Sequence, residues 1–138
     1  MNLKQIVLLS IFALLSLPSL AASKDRGGGD ECERRIKVIR NDIKSWINKG
    51  GANGIKLPRN ISLARYKRGM IDAIEETTIE CSDKKIVVYK AQKTCMNEPG
   101  IMVCNIDRFM KSTSESAQYR LIHHEYAGLA GFETNKGK

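Results

Sequence analysis

The chain predicts a small α+β domain: N-terminal helices packed on a short antiparallel β-hairpin, followed by a C-terminal helix, with two disulfides. Three observations predict it. Segments near residues 36–47, 63–74 and 121–129 repeat apolar side chains at helical spacing. Two short β-branched runs between them flank Asn97-Glu98-Pro99-Gly100, a turn sequence. The resulting order of helix, helix, strand, strand, helix suits helices laid on a small sheet.

Residues 1–21 have the make-up of a secretory signal peptide. Lys4 gives the positive start, Ile6 to Leu17 the apolar run, Pro18 its stop, and Ser19-Leu20-Ala21 a small-residue cleavage site. The run falls short of the ~20 apolar residues that span a bilayer. Residues 22–29, ending in three glycines, read as a flexible lead-in, and 30–138 as one domain. Asp30 caps the first helix, whose stripe is Ile36, Ile39, Ile43, Trp46 and Ile47, and Lys49-Gly50-Gly51 ends it. After a loop marked by Asn53-Gly54 and Pro58, Ser62 caps a second helix over Leu63–Glu76, with Leu63, Tyr66, Met70, Ala73 and Ile74 inward. Asp83-Lys84-Lys85 is a turn. Ile86–Tyr89 is a strand reaching toward Cys95, and Ile101–Ile106 is its hairpin partner. Ser112-Thr113-Ser114-Glu115 starts the last helix, which runs to Ala130 and stops at Gly131.

The full chain has 138 residues and a net charge of +8. The leader carries only Lys4, which leaves +7 on 117 residues, enough for one domain with a modest core. A basic balance favours an anionic cell-envelope or protein partner. No Arg/Lys run is interleaved with aromatics, so nothing specific points to nucleic acid. The four cysteines all follow the leader, and an even count in an exported chain, periplasmic or secreted, reads as two disulfides. Four cysteines allow three connectivities. The turn between Cys95 and Cys104 favours that pair and leaves Cys32–Cys81. No Cys-x-x-Cys spacing supports a zinc site. The chain also lacks a glycine-rich phosphate loop and a nucleophile elbow.

The last helix carries the chemical clue. At 100° per residue, Leu121, Ile122 and Leu129 share a face, and Glu125 falls between Leu121 and Leu129. A carboxylate drawn into a core stripe must be protonated, paired or bound to a cation. Gly128 and Gly131 each cost about 1 kcal/mol of helix propensity against Ala, and they leave room for something to approach closely.

His124-Glu125 on a helix that follows a hairpin resembles the active-site helix of the zincin metallopeptidases. There a His-Glu-x-x-His motif holds zinc, and its glutamate acts as base on the metal-bound water. The resemblance implies His124 as a metal ligand, Glu125 as the catalytic base and Glu133 as a second, more distant ligand. Position 128 carries Gly128 where the family has its second histidine, and counting from His123 lands on Ala127. A third ligand would then come from Asp107 or Glu115. The segment Leu121–Glu133 also resembles small exported bacterial proteins that share His-Glu-Tyr followed by Gly-Leu-x-Gly-x-Glu, a group that lends no activity.

Two functional readings follow. The favoured one is a non-catalytic binding or structural module with no cofactor, in which Glu125 accepts hydrogen bonds from hairpin N–H groups or pairs with Arg65 or Arg108. The alternative is a zinc-dependent hydrolase using His124 and Glu125.

Overall fold

The first helix, α1, spans Gly29–Asn48 and buries Cys32, Ile36, Ile39, Ile43 and Ile47 at the spacing that the sequence shows. In this computed structural model the described residues are Gly29–Glu133. The expected signal peptide, residues 1–21, and most of the expected lead-in lie outside them. A one-turn 3-10 helix at Gly51–Gly54 follows, and then α2, Leu63–Glu76. Ser62 caps α2 by accepting from the Arg65 N–H, and Tyr66, Met70 and Ile74 form its buried face. Trp46, expected inside, stays 38% exposed at the edge of the α1 stripe.

The strands depart from the expected hairpin. Ile86–Val88 (β2) does not pair with the later run. It turns back through Tyr89-Lys90 onto Ala91–Lys93 (β3) and makes a separate two-stranded sheet. The partner of Ile101–Asn105 (β5) is Cys95–Glu98 (β4), joined through Pro99-Gly100. A strand not expected from the sequence, Thr78–Ser82 (β1), lies parallel to β5 on its other side, so the main sheet runs β1-β5-β4 and is mixed. Ile79 is the one large apolar side chain of β1 and fills its one buried position, so β1 shows almost no alternation to read. A non-local partner, not local pattern, makes it a strand.

Both favoured disulfides are present. Cys32–Cys81 pins α1 to β1, and Cys95–Cys104 bridges directly opposed residues of β4 and β5. Cys81, Cys104 and Cys95 stand side by side across the three strands. A short helix, α3 (Ile106–Lys111), begins at Ile106, which the sequence pattern assigned to the strand; Asn105 Oδ1 caps it, 2.9 Å from the Arg108 nitrogen. The last helix, α4, spans Glu115–Leu129. Ile36, Ile39, Met70, Met102, Phe109, Ile122 and Tyr126 close the core between helices and sheet.

α1 and α4 are also joined by polar contacts. Arg35 donates to Gln118 at 3.0 Å and meets Glu115 at 3.2 Å, while Gln118 donates to the Phe109 carbonyl at 2.9 Å. Tyr119 donates to Asp42 at 2.5 Å.

Candidate functional site

α4 directs three neighbouring residues three ways. Glu125 faces the sheet and is 5% exposed, as the helical phase predicts. Its partner is neither a backbone N–H nor an arginine but the side-chain amide of Asn97 on β4, which donates to the carboxylate. Arg65 instead reaches the Asn60 carbonyl at 3.3 Å, and Arg108 reaches Thr94 at 3.3 Å. Burial pushes the Glu125 carboxyl above its ordinary value, and the Asn97 bond pulls it back in part. Gly128 makes this bond sterically feasible. A Cβ there would sit 3.0 Å from Asn97 Nδ2 and 3.3 Å from Oδ1. The missing side chain noted in the sequence is space for that amide.

His123 points toward α2, where its Nε2 lies 2.6 Å from the Tyr66 hydroxyl. Burial lowers its pKa, the nearby Glu133 opposing that shift. His124 stands at the surface and pairs through Nδ1 with Glu133. The turn after α4 supplies that partner. Gly131 adopts φ +77°, the Gly131 N–H reaches the Gly128 carbonyl at 3.0 Å, and the Phe132 N–H reaches the Ala127 carbonyl at 2.9 Å. This Schellman closure folds the chain back across the helix end. It carries Glu133 onto His124, and Phe132 onto Gly69 and the Tyr66 ring.

Two of the three sequence-selected residues therefore meet, His124 and Glu133, while Glu125 is committed to Asn97 on the sheet side. Asp107 pairs with Lys111 at 2.8 Å and Glu115 with Arg35, so neither joins them. A catalytic zinc centre takes three protein ligands and an open position. Among the described residues no cluster of three or more His, Cys, Asp or Glu side chains could hold a metal. The donors His124 Nδ1 and Glu133 are two, one short of that count.

Between α1 and α4 lies a groove of about 550 Å³, lined by Asp42, Ile43, Trp46, Tyr119, Arg120, His123, His124 and Glu133. Of these, only His124 and Glu133 stood out in the sequence for their chemistry. A usable signal was the face of α4 shared by Tyr119, His123 and Arg120, His124, two i, i+4 pairs. Trp46 forms one wall, and its ring lies against Gly51. A Cβ at Gly51 would fall 2.1 Å from the indole Nε1. The acids of the groove are already engaged, Asp42 by Tyr119 and Glu133 by His124. Exposed Arg120 makes no ion pair among the described residues.

No protein family, curated protein or solved structure matches this chain. Its geometry alone carries the functional argument.

Proposed function

We propose that this chain is an exported, non-catalytic binding module, and that its ligand enters the α1–α4 groove. The observation that supports this most strongly is how the groove's polar groups are partnered. Both groove carboxylates have partners inside the protein, whereas the one permanent cation lining it, Arg120, has none among the described residues. With Trp46 and Ile43 beside it, the groove suits a ligand with an apolar or aromatic body and one acidic group. Such a ligand buries its body against the indole and gives Arg120 its counterion. The overall positive charge favours the same partner class through long-range attraction. Two disulfides fit an oxidising compartment. No described helix is long and apolar enough to cross a membrane. The resemblance of α4 to a zincin helix is then one of layout, with Glu125 serving the packing of helix on sheet.

Trp46 is the only tryptophan, so its fluorescence reports on the groove alone. Anilinonaphthalene sulfonate is a suitable probe, with uncharged phenylnaphthylamine as its neutral counterpart. The proposal expects saturable energy transfer from Trp46 to the sulfonate, weaker binding of the neutral compound, and loss of that preference in Arg120→Glu. Equal affinity for both compounds, or no saturable transfer, overturns it.

A further inference from the structure

The β2–β3 hairpin is a second candidate surface, which shares no residue with the groove. Its base is fixed. Asn105, buried, donates to the Asp83 and Lys84 carbonyls at 3.3 and 3.0 Å, and Ile86, the first residue of β2, is buried. Its tip is not covered. Val87 is 60% and Tyr89 79% exposed, the two most exposed large apolar side chains among the described residues. Lys84, Lys85 and Lys93 at the base of the hairpin and Lys90 at its turn are exposed, and none makes an ion pair among the described residues. Asp83 is the only acid between Ser82 and Asn97.

The backbone supplies a separate observation. Tyr89 and Lys90 form the two-residue turn with φ of +49° and +64°. A tight hairpin turn with both central residues left-handed belongs to the type that Asn-Gly or Asp-Gly fills without strain. A tyrosine and a lysine there hold a costly conformation, and such strain gathers where a side chain is needed for function.

We propose that this hairpin tip docks on anionic lipid surfaces. Tyr89, Lys90 and Ala91 at the tip are all exposed, which leaves a small molecule no enclosure there, and the single aromatic gives no ladder for stacked nucleic-acid bases. An apolar point on a hairpin that carries four exposed lysines and no acid instead matches a negative headgroup layer above an apolar interior. Tyr89 and Val87 enter the interface while the lysine ammonium groups remain among the headgroups. Each lysine near such a surface strengthens partitioning about fivefold, from a contribution of about 1 kcal/mol.

The test is co-sedimentation of the exported protein, its mature N-terminus confirmed by mass spectrometry, with phosphatidylglycerol–phosphatidylcholine vesicles and with pure phosphatidylcholine. Binding is expected only to the mixed vesicles and is lost at high salt. Lys84→Gln with Lys85→Gln lowers partitioning about 25-fold. The decisive variant is Tyr89→Asn with Lys90→Gly, which gives the turn its preferred residues. It keeps or raises the Tm yet loses more than the roughly fivefold expected from one lysine, so lost binding is not lost folding. Trp46→Ala, altering the groove, binds vesicles as the wild type does. No binding to the mixed vesicles, equal binding to neutral ones, undiminished binding by the turn variant, or loss in Trp46→Ala overturns the proposal.

Discussion

Gly128→Ala sets two effects of known size against each other. Helix propensity alone predicts a gain of about 1 kcal/mol, because the position lies inside α4. Against this, the new Cβ meets both atoms of the Asn97 amide, at 3.0 and 3.3 Å. Rotating one away brings the other closer, so the amide must move off Glu125. A hydrogen bond to a charged group contributes about 1.5–3 kcal/mol, so its loss outweighs the gain. The net expectation is destabilisation by about 0.5–2 kcal/mol, a fall in Tm of roughly 2–10 °C for a domain of this size. The loss shrinks toward acid pH, where a protonated Glu125 needs the amide less. Urea denaturation with an Asn97→Ala background completes the cycle. In that background the added methyl group has no amide to displace, and Gly128→Ala becomes stabilising by about 1 kcal/mol. A wild-type background in which Gly128→Ala stabilises as much as it does beside Asn97→Ala refutes the argument.

The remaining predictions concern titration, the buried hydroxyl and the covalent links. Because burial raises the Glu125 carboxyl above 4.5, the folded chain holds that proton more tightly than the unfolded one. The stability from this group is therefore present at acid pH and is lost as pH rises from 4.5 through the raised value. Glu125→Gln, which can still accept from Asn97, should flatten that decline in pH-dependent urea titrations. His123 has the opposite sign. Its pKa is lowered from 6.5, so its contribution is complete above 6.5 and is lost as pH falls below it, and His123→Gln removes that acid limb. Tyr126 is fully buried, its hydroxyl has no hydrogen-bond partner among the described residues, and burial pushes its pKa up to about 12. Tyr126→Phe should raise stability by about 1 kcal/mol in the same titrations. Replacing Cys32 and Cys81 by serine opens a link of sequence separation 49, against 9 for Cys95–Cys104. Loop entropy predicts losses of about 4 and 2.6 kcal/mol respectively, measurable by calorimetry.

Helices with one clear apolar stripe were legible in the sequence to within a residue or so. Leu63–Glu76 is bounded as its pattern and its Ser62 cap indicate, and Glu125 is buried where its phase places it. The strands were less so, for identifiable reasons. Thr78–Ser82 has one large apolar residue and a parallel partner more than twenty residues away. Tyr89-Lys90 carries neither glycine nor asparagine, so the turn that separates β2 from β3 gives no turn signal. The disulfide pairing was legible because a turn sequence brings Cys95 opposite Cys104. At the site, Gly128 signalled a close approach but not by what, since Asn97 arrives from another element. The meeting of His124 with Glu133 depends on the turn at Gly131, and the groove depends on how α1 lies beside α4. Neither is a local property of the chain.

On the proposed function, the His124-Glu125 helix is a binding surface backed by a structural carboxyl, and not a hydrolytic centre. Elemental analysis for zinc tests it most directly, on protein exported into an oxidising compartment and purified without chelator or histidine tag, wild type beside His124→Ala. Both should hold far less than one zinc per chain, even after zinc is added back and excess removed. One zinc per wild-type chain, absent from His124→Ala, together with peptidase activity that Glu125→Gln abolishes, would contradict it.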